Sequence, residues 1–74
     1  MTVEGNATKT LINKAARMLR NGEKNYSADC GLTDITVYDD RDGSKFASVT
    51  TTKQVRVGKD RYQSLAGYRA IVRL

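Results

Sequence analysis

Hydrophobic and polar residues follow two different periods along this chain. Between Ala7 and Asn21 the apolar positions Leu11, Ile12, Ala15, Ala16, Met18 and Leu19 recur every three or four residues. That spacing lines one stripe of an α-helix, predicted over about residues 7–21. Asn6 or Thr8 offers the capping side chain at its start, and Asn21-Gly22 offers a left-handed residue to end it. Lys9, Asn13, Arg17 and Arg20 fall on the outer face. Arg17 and Arg20 also lie in the last turns, where positive charge complements the helix dipole.

From Thr33 onward the period is two. In Thr33–Asp39, Ile35 and Val37 alternate with Asp34, Thr36 and Tyr38, the pattern of a strand with one buried face. A three-residue loop, Arg41-Asp42-Gly43, closes a hairpin with Gly43 in the left-handed position. The resulting register pairs Asp39 with Lys45, Tyr38 with Phe46, Val37 with Ala47, Thr36 with Ser48 and Ile35 with Val49. Each pair joins like with like or opposite charges, as cross-strand neighbours prefer, and a slip of one residue destroys the agreement. Ile35, Val37, Ala47 and Val49 then share the face that the helix covers, with Thr36, Tyr38, Phe46 and Ser48 on the other.

Further alternation predicts strands at about Lys53–Gly58 and Tyr68–Leu74. Residues 59–67 between them read as a loop or a single helical turn, and residues 23–31 as an irregular connection with room for a short strand at Tyr26–Ala28. The expected architecture is one small α+β domain spanning residues 1–74, with its β-rich part at 33–74. An N-terminal helix packs on a three- or four-stranded, mostly antiparallel sheet in two layers. Tyr68–Leu74 is expected at the sheet edge, where its unpaired backbone offers a route to a homodimer.

Composition narrows the chemistry. Thirteen lysines and arginines stand against eight carboxylates, a formal net charge of +5, with no histidine and one cysteine. The charge is ordered as a basic start, an acidic middle from Glu23 to Asp42, and a basic end. A single cysteine without histidine forms neither an intrachain disulfide nor a four-ligand zinc site. Cys30 lacks a base to activate it and is expected to be a small, partly buried residue. Asp39, Asp40 and Asp42, followed by Gly43, have the composition of a hairpin turn; their spacing is not that of a calcium loop. Gly67-Tyr68-Arg69-Ala70 lacks the second stacking ring of an RNA-recognition strand, because Ala70 stands in its place. These features argue for a protein that is not an enzyme and uses no metal or cofactor. With no apolar run of about 20 residues, no membrane span is expected, and Met1-Thr2-Val3-Glu4 lacks the basic start and apolar stretch of an export signal, which fits a cytoplasmic setting.

Two functions are compatible with that chemistry. The first is a nucleic-acid-binding module (DNA or RNA). In it the sheet face carrying Tyr38 and Phe46 is extended by Arg56, Arg69 and Arg73 into a platform of rings and cations, and Arg17 and Arg20 add basic surface. The alternative is an inhibitor or adaptor of the kind carried by mobile genetic elements such as phages. Such a protein occupies a surface of a larger host protein or nucleoprotein complex through Asp39, Asp40 and Asp42 or through Arg17 and Arg20. Self-assembly through the C-terminal edge is a third, weaker option.

Overall fold

A computed structural model describes residues 1–74. Strand β1 (Thr2–Asn6) leads into helix α1 (Lys9–Asn21). Strand β2 (Asn25–Ala28) and one 3-10 turn at Asp29–Gly31 follow, and then β3 (Thr33–Asp39), β4 (Lys45–Gly58) and β5 (Arg61–Arg73). The strands form a single antiparallel sheet in the order β1-β5-β4-β3-β2. The α+β architecture is as expected, but the sheet has five strands where three or four are predicted. The added strand is β1, and it also corrects the expected sheet edge. Thr2–Asn6 pairs with Arg69–Arg73, so the C-terminal segment lies between β1 and β4 and offers no free edge for a homodimer.

The helix begins at Lys9, two residues later than its apolar stripe predicts. Thr8 has extended backbone angles, and its Oγ1 accepts the Leu11 amide at 3.3 Å, so Thr8 is the cap. At the other end Gly22 adopts φ 72° and its amide donates to the Met18 carbonyl, the left-handed stop that glycine allows. Ala15 and Met18 of the helix are buried with Ile35, Ala47, Val49, Ala70 and Val72 of the sheet, flanked by Leu11, Ile12, Leu19, Tyr26 and Val37. The five hairpin pairs from Asp39↔Lys45 to Ile35↔Val49 occur as the pattern predicts. The loop closes with the Asp40 amide donating to the Ser44 carbonyl at 2.8 Å, and Gly43 has φ 85°.

Residues 59–67 are neither loop nor helix except at the turn itself. Only Lys59 and Asp60 turn the chain, and β5 starts at Arg61. β4 and β5 therefore form one long hairpin. Fourteen residues of β4 at about 3.3 Å each reach roughly twice as far as thirteen helical residues at about 1.5 Å each. The helix covers only the proximal half. β3 stops pairing with β4 at Thr33↔Thr51, and β1 stops pairing with β5 at Asn6↔Arg69. Beyond these points no strand pairs with the β4–β5 ribbon on either edge, and the molecule measures 48 × 23 × 20 Å.

Candidate nucleic-acid interface

Two sequence features aim the ribbon. Between Thr50↔Arg69 and Thr52↔Ala66 the register shifts because β5 carries one extra residue, a β-bulge of the kind that bends a strand and increases its twist. The bulge sits at Gly67-Tyr68 opposite Thr51. The Tyr68 amide donates to Thr51 Oγ1 at 2.6 Å, and a Cβ at residue 67 would run into that same oxygen, so only glycine fits. The bulge opens a shallow cleft of about 250 Å³ lined by Thr51, Lys53, Ala66, Gly67 and Tyr68. At its base the ribbon is anchored by the Thr52 amide donating to the Leu32 carbonyl at 2.7 Å.

Register assigns the faces. Residues opposite one another on paired strands share a face, so Ala47, Val49, Ala70 and Val72 face the helix. Phe46, Ser48, Thr50, Arg69, Ile71 and Arg73 lie on the open face. Tyr38, Thr36 and Asp34 extend it across β3, and Glu4 extends it across β1. Because the extra residue of the bulge is in β5, the even-numbered positions of β4 keep the same face outward. Thr52↔Ala66, Gln54↔Ser64 and Arg56↔Tyr62 therefore continue the open face along the ribbon. Arg56, Arg69 and Arg73 lie on one continuous face with Tyr38 and Phe46. Arg17 and Arg20 are exposed on the helix, in the opposite layer of the molecule, and do not join them.

The proximal end of this face is a self-paired row. The Tyr38 and Phe46 rings stack with centroids 5.4 Å apart and an interplanar angle of 24°. The Arg73 guanidinium lies 4.9 Å from the centroid of Phe46 and donates to Asp40 at 3.0 Å. Phe46 is thus engaged by two neighbours. Tyr38 is half exposed and has one covered face. On the proximal face Arg69 and Arg73 stand among Glu4, Asp34 and Asp40, of which Asp40 pairs with Arg73, so the carboxylates there at least match the cations.

The ribbon is different. Lys53, Arg56, Lys59 and Arg61 stand there against a single carboxylate, Asp60. Arg56 is fixed in place, with Nε donating to the Gly58 carbonyl at 3.1 Å and Nη2 to the Lys59 carbonyl at 2.9 Å. That leaves Nη1 without a protein acceptor. Lys53, Lys59, Arg61, Gln54, Tyr62 and Ser64 are ribbon residues that sequence reasoning did not single out. The run of cations from Lys53 to Arg61 is the available signal, and it carries no direction while residues 59–67 read as a loop or a single helical turn.

Asp40 and Asp42 hold the β3–β4 turn. Asp42 Oδ1 accepts the Ser44 hydroxyl at 2.6 Å and the Ser44 amide at 2.9 Å; Asp40 accepts the Arg41 amide at 2.8 Å as well as Arg73. The Ser44 hydroxyl, followed by its amide, holds the Asp42 carboxyl below the ordinary aspartate range. Asp39 lies 3.9 Å from Lys45. Cys30, expected to be partly buried, is exposed. It follows Asp29 in a left-handed turn with φ values of 54° and 56°. No helix is long and apolar enough to cross a membrane. No protein-family model, curated protein or solved structure matches this chain.

Proposed function

We propose that this protein is a small, non-catalytic module that binds nucleic acid along the open sheet face and the ribbon that prolongs it. The observation that carries this reading is the concentration of positive charge on the projecting ribbon, Lys53, Arg56, Lys59 and Arg61 against Asp60, with Arg56 on the outward face that is continuous with Arg69 and Arg73. A ribbon free on both edges presents lysine and arginine side chains to phosphates over a length of several nucleotides. Each phosphate so neutralised releases counterions, so affinity falls steeply with salt. The test is fluorescence anisotropy with labelled single- and double-stranded DNA and RNA at low and near-physiological salt. Arg56→Glu, Arg69→Glu and Arg73→Glu are each expected to weaken binding and to flatten the salt dependence by about one contact. Arg17→Glu and Arg20→Glu, in the other layer, serve as controls with little effect. Unchanged affinity in all three face variants contradicts the assignment.

One observation favours a second reading, a protein target. On the helix side of the ribbon Val55 and Leu65 are exposed, and Val57, at the register shift near the tip, is exposed by 58%; apolar side chains of that kind gain more from a protein groove than from phosphates. That reading predicts no nucleic-acid binding at near-physiological salt, and loss of one dominant partner in Val57→Asp.

A further inference from the structure

We infer that the β4–β5 ribbon beyond Thr51 enters the major groove of B-form duplex DNA; this rests on the nucleic-acid reading and specifies its ligand. Three observations point to a duplex. First, single-strand binders stack successive bases on neighbouring open rings, but here Phe46 is engaged by Tyr38 and by Arg73, and the exposed rings Tyr38, Tyr68 and Tyr62 are level with Phe46, Thr51 and Arg56 of β4, too far apart to stack consecutive bases. Second, on the proximal face the carboxylates at least match the cations, and the uncompensated charge lies on the ribbon, so the strongest attraction for phosphate is at the element that projects. Third, the projecting element has the dimensions of a groove. Two strands about 4.8 Å apart, with side chains on either side, match a major groove about 12 Å wide that admits a two-stranded ribbon. The A-form groove of duplex RNA is too deep and narrow for the same insertion.

The outward face of the ribbon also carries side chains able to read base edges. Gln54 and Ser64 are opposite one another, and Arg56 and Tyr62 form the next pair toward the tip. Glutamine pairs with adenine, arginine with guanine, and serine with either. Arg56 reaches the groove already held by the Gly58 and Lys59 carbonyls, with its Nη1 hydrogens unused. Lys53, Lys59 and Arg61 are long enough to meet phosphates on the groove walls. The free edges of the ribbon remove any steric obstacle, because no strand or helix flanks it beyond Thr51.

The test uses the intact protein and four labelled probes of one mixed sequence: the DNA duplex, its single strand, the matching RNA duplex and a DNA duplex carrying glucosylated hydroxymethylcytosine, whose sugars fill the major groove. The unmodified DNA duplex is expected to bind at least about tenfold more tightly than each of the other three, as loss of one or two groove contacts implies. Lys59→Glu with Arg61→Glu, at the exposed tip, is expected to lower duplex affinity by a similar factor while circular dichroism stays unchanged. Equal affinity for the single strand, the RNA duplex or the glucosylated duplex overturns groove entry and leaves nucleic-acid binding standing. Binding to none of the probes overturns both.

Discussion

Gly5 is the residue on which the fifth strand depends. Its φ of 93° and the collision of any Cβ at this position with the Arg69 carbonyl mean that a side chain there meets backbone, which cannot move aside. Glycine inside a strand often marks such a close approach, and it is also why Thr2–Asn6 did not read as a strand, with Val3 the only apolar residue in the segment. Gly5→Ala is expected to lower the urea midpoint by the equivalent of about 1–3 kcal/mol; an unchanged midpoint contradicts the close approach. Arg73 separates stability from function, because its pair with Asp40 is partly exposed and such pairs contribute about 0–1 kcal/mol. Arg73→Ala should therefore fold nearly normally yet bind nucleic acid more weakly. Asp42 gives a pH signature. Its carboxyl is lowered in the folded chain by the Ser44 hydroxyl and amide. The associated stabilisation is complete above the ordinary aspartate pKa and is lost as the pH falls through the lower folded-state value. Ser44→Ala should raise that pKa toward the ordinary value in a carbon-detected NMR titration, and a pKa that does not move removes the hydroxyl as its cause.

At the scale of elements, the ratio of helix length to hairpin length decides the architecture. Thirteen residues of α1 cover the proximal sheet, and Met18, fully buried, fills the contact. Met18→Ala is expected to cost about 2–5 kcal/mol, against about 1 kcal/mol for Thr8→Ala at the cap, both read from chemical denaturation. The distal ribbon lacks that cover, so amide exchange in residues 52–66 should be faster than in Ala47–Val49 and Ala70–Val72 by orders of magnitude. Equal protection contradicts a solvated ribbon. The same contrast explains what could be read from the chain. The hairpin of β3 with proximal β4 was legible to the register because one face is buried, which forces Ile35, Val37, Ala47 and Val49 into alternation. Distal β5 was not, since neither face of Tyr62-Gln63-Ser64-Leu65-Ala66 is buried and nothing imposes a period of two. Gly67, required by the bulge, then resembled a loop residue. The C-terminal strand is legible but its outer neighbour β1 is not, and the apparent edge follows from that.

The whole molecule is a compact two-layer body with a basic arm, 48 Å along its longest axis. The net charge of +5 was visible in the composition, and so was the grouping of Arg69 and Arg73 with Phe46 and Tyr38. The emphasis was not, because the rings cover each other and carboxylates offset the nearby cations, which leaves the arm as the dominant feature. Placement of Arg17 and Arg20 required knowing which layer the helix occupies. In the proposed function the open face and its arm, not the helix, meet the ligand. The most direct measurement is an NMR titration of the nitrogen-15-labelled protein with an unlabelled DNA duplex at near-physiological salt, following every backbone amide. The account predicts shifts concentrated in Lys53–Ser64 and Arg69–Arg73, with Lys9–Asn21 unmoved. Shifts confined to the helix, or none with duplex in excess, would contradict it.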